Sequence, residues 1–243
     1  MIHVILFMLG CCIGSFLNVI FSRRDWYKGR SRCDGCGYVL KWYDLIPVVS
    51  FLILRGKCRK CKTKIDSSHL VSELIMGAAF LVSSFLFLKY GTVYGSFIAV
   101  SIISMAVAAI EDCKEQMVYN FILTGGIILS ASLKCYYYTS LNLYIAAINL
   151  VVCVFIFKLI SLILSLVFED KIGAGDFDAL IIIYIIGDFW GLIVSLTLAS
   201  LLGCFFYMPS IILKKRDKNE PLPFIPFLFM GTMIFLLLQG VMF

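Results

Sequence analysis

The sequence predicts an all-α polytopic membrane protein, with about eight transmembrane helices and a small polar loop domain after the first of them. Three observations carry this. Of the 243 residues 61% are hydrophobic and the mean hydropathy is +0.99, more apolar surface than a soluble core of this length can hide. Apolar runs long enough to cross a bilayer recur along the chain, separated by short polar turns. Lys and Arg gather on alternate turns, as they do when those turns share the inner side of a membrane.

Ile2 to Phe21 spans a bilayer, has no basic stretch ahead of it and is followed at once by Arg23 and Arg24. That polarity puts the N-terminus outside and argues against a cleaved signal peptide. Ser68 to Leu88 is the second span and Val93 to Ile110 the third, closing on Glu111 and Asp112. Val118 to Leu133 is the fourth, after which Lys134 to Asn142 reads as a tyrosine-rich outer loop suited to the interface. Leu143 to Val167 is the fifth, with Lys158 in its later half on a stem long enough to snorkel. The sixth starts near Asp176 and is short, ending at the turn Gly187-Asp188-Phe189-Trp190-Gly191, so it crosses only in part or is sheltered by its neighbours. Leu192 to Leu213 and Phe224 to Phe243 complete the set. With both termini outside, every Lys and Arg lies on the inner side except Lys89 and Lys134, outside, and Lys158, within a span. The net charge of +6 is thereby explained as a topology signal, which leaves the lipid bilayer as a partner and nucleic acid as none.

Residues 23–67 form the one sizeable polar segment and carry a basic excess, which places it in the cytoplasm. Within it, Cys33-x-x-Cys36 and Cys58-x-x-Cys61 have the spacing of a four-thiolate zinc site, each pair on a tight turn (Asp34-Gly35, Arg59-Lys60). The segment is therefore zinc-ribbon-like, and its Zn2+ is structural because four thiolates leave no open position. Two disulfides are the competing reading, disfavoured in a reducing cytosol. Leu45 to Leu54 is apolar but too short to span, so it packs on this module or lies in the interface. Cys11, Cys12, Cys113, Cys135, Cys153 and Cys204 mostly sit in apolar runs as small packing residues.

Polar groups inside spans need a reason. Asn18, in Gly14-Ser15-Phe16-Leu17-Asn18-Val19, reads as a helix-packing contact or as a ligand group, and Glu73 as an inward partner for a polar group or as a contact to a bound substrate or cofactor. Asp112 and Asp176 are read as one catalytic pair. Spans four and five separate them, so both emerge on the same face of the membrane. Two carboxylates in one site share a single proton; the ionised one takes a proton from an attacking water while the other donates to the peptide carbonyl. Gly173 and Gly175 leave room beside Asp176 for an extended peptide. Taken singly, either acid would be an ion pair for Lys114 or Lys171 at a helix end. The only histidines are His3 and His69, so a two-histidine zinc protease motif is absent, as is a G-x-S-x-G elbow. A serine–lysine dyad of Lys158 with Ser161 or Ser165 lacks a recognisable cleft.

These residues resemble the type IV prepilin peptidases, bifunctional leader peptidase and N-methyltransferase enzymes. The similarity rests on Gly14 to Val19 with Arg23, on the double Cys-x-x-Cys around Trp42 to Ser50 and Leu54 to Cys58, on Asp112 with Val118-Tyr119-Asn120, on Gly173-Ala174-Gly175-Asp176, and on Pro223-Phe224-Ile225-Pro226-Phe227. The resemblance implies a GxGD aspartic peptidase that cuts the basic leader of type IV prepilins or pseudopilins after a glycine, using Asp112 and Asp176, at the cytoplasmic face of the bacterial inner membrane. It also implies methylation of the new N-terminus from S-adenosylmethionine, for which Asn18 and Glu73 are the candidate contacts. The domains expected are residues 1–22, the first helix; 23–67, the methyltransferase-associated loop; and 68–243, a seven-helix peptidase core. Two departures stand out. Asp178 occupies the place where the family usually has Lys, which removes a cation from beside the pair, and Leu70 and Tyr119 occupy places where relatives often have Pro. The alternatives are a peptidase without methyltransfer and a non-enzymatic scaffold or transporter whose acids serve as ion pairs or proton relays.

Overall fold

Apolar chain with no water to pair its amides must satisfy them internally, and the long hydrophobic runs accordingly become helices. A computed structural model describes residues 1–22, 29–33, 35–115, 120–167, 174–212 and 223–242. Its elements are α1 (Ile2–Ser22), one 3-10 turn (Trp42–Asp44), α2 (Val49–Ile53), α3 (Ser68–Tyr90), α4 (Thr92–Glu115), α5 (Asn120–Ser140), α6 (Tyr144–Val167), α7 (Ala174–Ile212) and α8 (Ile225–Met242). Among the described residues the only β-type pairings are two isolated bridges. Five stretches are long and apolar enough to cross a membrane: Ile2–Phe21, Ser68–Tyr90, Thr92–Lys114, Tyr144–Ile163 and Gly175–Pro209. Their outward faces agree. α6 exposes Ile145, Ile148, Phe155 and Leu162, a patch that water would not tolerate and lipid covers. The protein is an all-α, multi-pass membrane protein.

The chain forms two compact units, Met1–Leu81 and Val82–Phe243, with the boundary inside α3. In the first, α1 and the start of α3 pack antiparallel through small residues. Gly10 lies against the Met76 carbonyl, Gly14 against that of Ser72, and Gly77 against Cys11 and Phe7, with no room at any of them for a Cβ. Asn18, fully buried, donates from Nδ2 to Ser72 Oγ at 2.8 Å across the same contact. The segment from Leu45 to Leu54 holds α2, and Trp42, Leu45, Val49, Leu52 and Ile53 remain exposed, the outward face expected of a segment lying in the interface.

The second unit is a bundle whose α7 is two limbs rather than one rod. As a single helix Gly175–Pro209 would be roughly 50 Å long against a hydrocarbon core of about 30 Å. Asp188 breaks it, with φ 53° and ψ −154°. Gly187 and Gly191 both meet the ring of Phe235, Gly231 meets Ser195, and Phe206 and Tyr207 lie 6.0 and 5.3 Å from the ring of Phe227. Residues 187 to 207 therefore run antiparallel to α8. The first limb runs the other way, because Asp176 at its start lies within charge interaction of Asp112, which is bonded to Ile225 at the start of α8. The turn expected over Gly187 to Gly191 is thus a helical hairpin, and with its limbs counted separately the main helical segments among the described residues are α1, α3, α4, α5, α6, two in α7, and α8.

One expectation fails here. Lys134 does not open an outer loop; α5 continues through it to Ser140, and Lys134 is 3% exposed. The polar and aromatic residues that made the stretch look like a loop have partners inside the bundle. Lys134 Nζ donates to Ile185 O at 2.7 Å and to Asp188 Oδ1 at 2.8 Å, and it faces the rings of Phe97 and Tyr138, while Tyr137 packs on Tyr94.

Candidate active site

One end of the second unit gathers the starts of α5, both limbs' companion α8 and α7 itself, together with the ends of α4 and α6. Asp112, in the last turns of α4, is buried, and its Oδ2 accepts the Ile225 N–H at 3.0 Å. A carboxylate at a helix N-terminus meets unpaired amides and the positive end of the dipole, so Asp112 and α8 hold each other. Asp176, in the first turn of α7, is partly exposed and close enough to Asp112 for their charges to interact. Both aspartates named from sequence are thus brought to one place, by helices that are far apart in the chain. Gly175, beside Asp176, is buried. Gly173, Lys171, Val118 and Tyr119 lie outside the described residues, as do Arg23, Arg24, Asp34 and Lys214 to Lys218.

Sequence reasoning missed the support behind Asp176. Asp178 is 1% exposed, and Lys158 Nζ on α6 donates to both its oxygens, at 2.6 and 2.7 Å. Thr124 Oγ1 on α5 approaches Oδ2 at 3.4 Å. Lys158 is therefore not a snorkelling side chain, because a buried carboxylate within reach is a better partner than the headgroup region. Nor has the exchange to Asp178 cleared the region of positive charge, since α6 supplies a cation to it. Only the coexistence of a Lys and an Asp in apolar runs was visible in the sequence.

In the first unit the cysteines form two matching knuckles. Cys33 N–H donates to Tyr38 O and Gly37 N–H to Cys33 O, both at 2.9 Å; Cys58 N–H donates to Thr63 O and Lys62 N–H to Cys58 O, at 2.9 and 3.1 Å. Bridges Arg32 to Val39 and Lys57 to Lys64 close them. The residue after each second cysteine has positive φ, Gly37 at 67° and Lys62 at 61°. The four sulfurs lie within 4.8 Å of one another, with Cys33 and Cys61 3.7 Å apart. Four thiolates around one tetrahedral zinc would sit about 3.8 Å apart, since each Zn–S bond is about 2.3 Å. The thiols are free, so the two-disulfide reading does not describe this loop, and the cluster could hold a metal ion.

The electrostatics fit a cation. Cys61 is lowered to about 6 by the hydroxyl and N–H of Thr63, and Cys58 is lowered by the N–H groups of Cys61 and Lys60. Cys36 is raised to about 11: the Tyr38 N–H favours its thiolate, but desolvation and the neighbouring thiols Cys61, Cys33 and Cys58 prevail. Some of these thiols are prepared as thiolates, while their crowding opposes ionising all four without a positive ion between them.

A cavity of about 330 Å³ opens beside the knuckles, lined among others by Asp44, Phe51, Arg59, Asp66, His69 and Glu73. Arg59, inside the second Cys-x-x-Cys, pairs with the buried Asp44 at 2.9 Å, so the knuckle helps shape the cavity wall. Glu73 Oε2 accepts the Val48 N–H at 2.7 Å, pinning a β-branched residue held at φ 61°. Glu73 thus faces the cavity and ties α3 to the loop, whereas Asn18 is engaged with Ser72, the residue before it.

Fold and site define a class: a multi-pass helical membrane protein with a four-cysteine loop and two acids, one buried and one partly exposed, at one end of its bundle. The model of the Bacterial Peptidase A24 N-terminal domain matches residues 8–87. A protein of Myxococcus xanthus is 46% identical over 81 residues, covering 32% of this chain and 24% of that one. Longer matches are to proteins of Stutzerimonas stutzeri, 25% identical over 95% of this chain and 88% of that one, and of Bacillus subtilis, 24% identical over 95% and 92%. All three are named prepilin leader peptidase/N-methyltransferase. No solved structure matches. Over most of its length the chain is similar to prepilin leader peptidase/N-methyltransferases.

Proposed function

We propose that this protein is a membrane aspartic endopeptidase of the GxGD type, which removes the short basic leader of type IV prepilins or pilin-like proteins and methylates the new N-terminus. The observation that supports the reading is that Asp112 and Asp176 lie within charge interaction of each other at one end of the second unit, on helices separated by α5 and α6. One proton shared by the two carboxylates gives the pair both roles it needs. The ionised member accepts a proton from water as its oxygen bonds to the scissile carbonyl carbon. The protonated member donates to the carbonyl oxygen. As the C–N bond breaks, the leaving amine takes the proton from the protonated member while a hydroxyl of the tetrahedral diol gives its proton to the ionised member and becomes the new carbonyl, so the pair again holds one proton. The Ile225 N–H holds one Asp112 oxygen in place throughout. By the charge distribution of the sequence, both acids and the cysteine loop are on the cytoplasmic side and both termini outside.

Residues 23–67 serve the methylation step, with a Zn2+ held by Cys33, Cys36, Cys58 and Cys61, while residues 68–243 are the peptidase core. The cavity beside the knuckles fits S-adenosylmethionine in size and charge, with Glu73 and Asp66 available to its cationic end and Phe51 to its ring system; Asn18 would secure α1 behind Glu73. When bound, it supplies an electrophilic methyl group to a free amine.

Purified full-length protein, given a peptide with a Lys-rich leader ending in Gly before an apolar helix, is expected to release the leader. Asp112→Asn or Asp176→Asn should slow release by about 10²–10⁴-fold while the protein still inserts. Unchanged cleavage by either variant would assign the acids a non-catalytic role. Metal analysis should find about one zinc per chain, lost in Cys58→Ser; zinc-free protein with a folded loop would remove the metal from the reading.

A further inference from the structure

The region behind Asp176 is built more firmly than a peptide-binding cleft requires. Successive helical residues are about 100° apart, so Asp176 and Asp178 point to nearly opposite sides of the first limb of α7. Asp176 lies within charge interaction of Asp112, and Asp178 is buried in the bundle. There Lys158 of α6 grips both Asp178 oxygens, and Thr124 of α5 closes on one of them. The bonds are short, two-pronged and drawn from two other helices. They fix the limb against rotation about its own axis and against sliding along it, the two movements that would carry Asp176 away from Asp112. A single contact to one oxygen would leave rotation free.

We propose that Lys158 and Asp178 are positioning residues for cleavage: acting through the first turn of α7, they set the direction of the Asp176 carboxylate toward Asp112. The inference rests on the peptidase reading. Acting through Asp176, they would govern turnover and not binding. Misplacement of a reacting group by about 1 Å costs up to about 100-fold in rate, which sets the size of the effect.

The test is leader cleavage of the same Lys-rich peptide by full-length protein in detergent micelles, comparing wild type, Lys158→Met, Asp178→Asn, the exchanged pair Lys158→Asp/Asp178→Lys, and Asp176→Asn as control. The single variants should lose roughly 10–100-fold in kcat with KM within about twofold of wild type, and the exchanged pair should recover most of the loss. Wild-type kcat in both single variants overturns the proposal. So does a loss that the exchange fails to recover, or one that falls on KM, because a merely structural or substrate-binding role has those signatures. If the singles do not fold, the exchanged pair alone decides: near wild-type kcat supports the proposal, and an inactive folded protein refutes it. Full activity of Asp176→Asn would instead bring down the peptidase reading itself.

Discussion

The first limb of α7 carries a Lys–Asp pair at each end, and the two are mirror images in burial. At the end that holds Asp176, the Asp178 side chain is 1% exposed and that of its partner Lys158 45%. At the far end the Lys134 side chain is 4% exposed and that of its partner Asp188 62%. In each case the buried member has the sign that the helix dipole favours, negative at the N-terminal end and positive at the C-terminal end. Lys134 also bonds the Ile185 carbonyl, one of the groups a helix end leaves unpaired. The same two residue types therefore do different work. The Lys134–Asp188 pair terminates a helix, while the Lys158–Asp178 pair, on the proposal above, locks a helix that carries Asp176.

The comparison can be broken at either end, in decreasing order of expected effect. Lys158→Met strands a buried carboxylate and should lower stability by about 3 kcal/mol, the low end for such a loss because Lys158 is already half-exposed; chemical denaturation in mixed micelles measures it. A loss below about 1 kcal/mol would mean that water or a proton satisfies Asp178. Lys134→Met removes the buried member itself and leaves Asp188 in solvent, so only the Ile185 carbonyl loses its donor, at about 1–3 kcal/mol. Specific activity of the folded Lys134→Met protein should match wild type, and a fall in kcat like that of Lys158→Met would erase the distinction between the ends. Asp188→Gly is the gentlest. It relieves a backbone conformation that costs about 1–3 kcal/mol in a non-glycine residue, and gives up a half-exposed pair contributing about 0–1 kcal/mol. Equal or slightly higher stability is expected, and a clear loss would show that the Asp188 charge, not its backbone, holds the hairpin.

Much of this arrangement was legible in the sequence. The spans announced themselves by length and apolarity, and the break at Asp188 by its flanking glycines, because both signals are local. The cysteine knuckles were equally legible, since a Cys-x-x-Cys turn needs only its own neighbours. What was hidden is what depends on contacts between distant helices. Lys134 looked like loop because a Lys beside three tyrosines is also what an interface contains, and only the bundle supplies Asp188 and Ile185 to it. Lys158 looked like a snorkelling cation because nothing local identifies Asp178 as its counter-charge. The grip of Ile225 on Asp112 could not be read at all, for it is made by the main chain.

That last bond has an evolutionary corollary. A peptide amide is present whatever side chain occupies position 225, so drift there among ordinary residues leaves the donor intact, and proline alone deletes it. The bond itself therefore closes the start of the final helix to proline alone, a restriction separate from the packing that the buried Ile225 side chain demands and invisible in any survey of which side chains are retained.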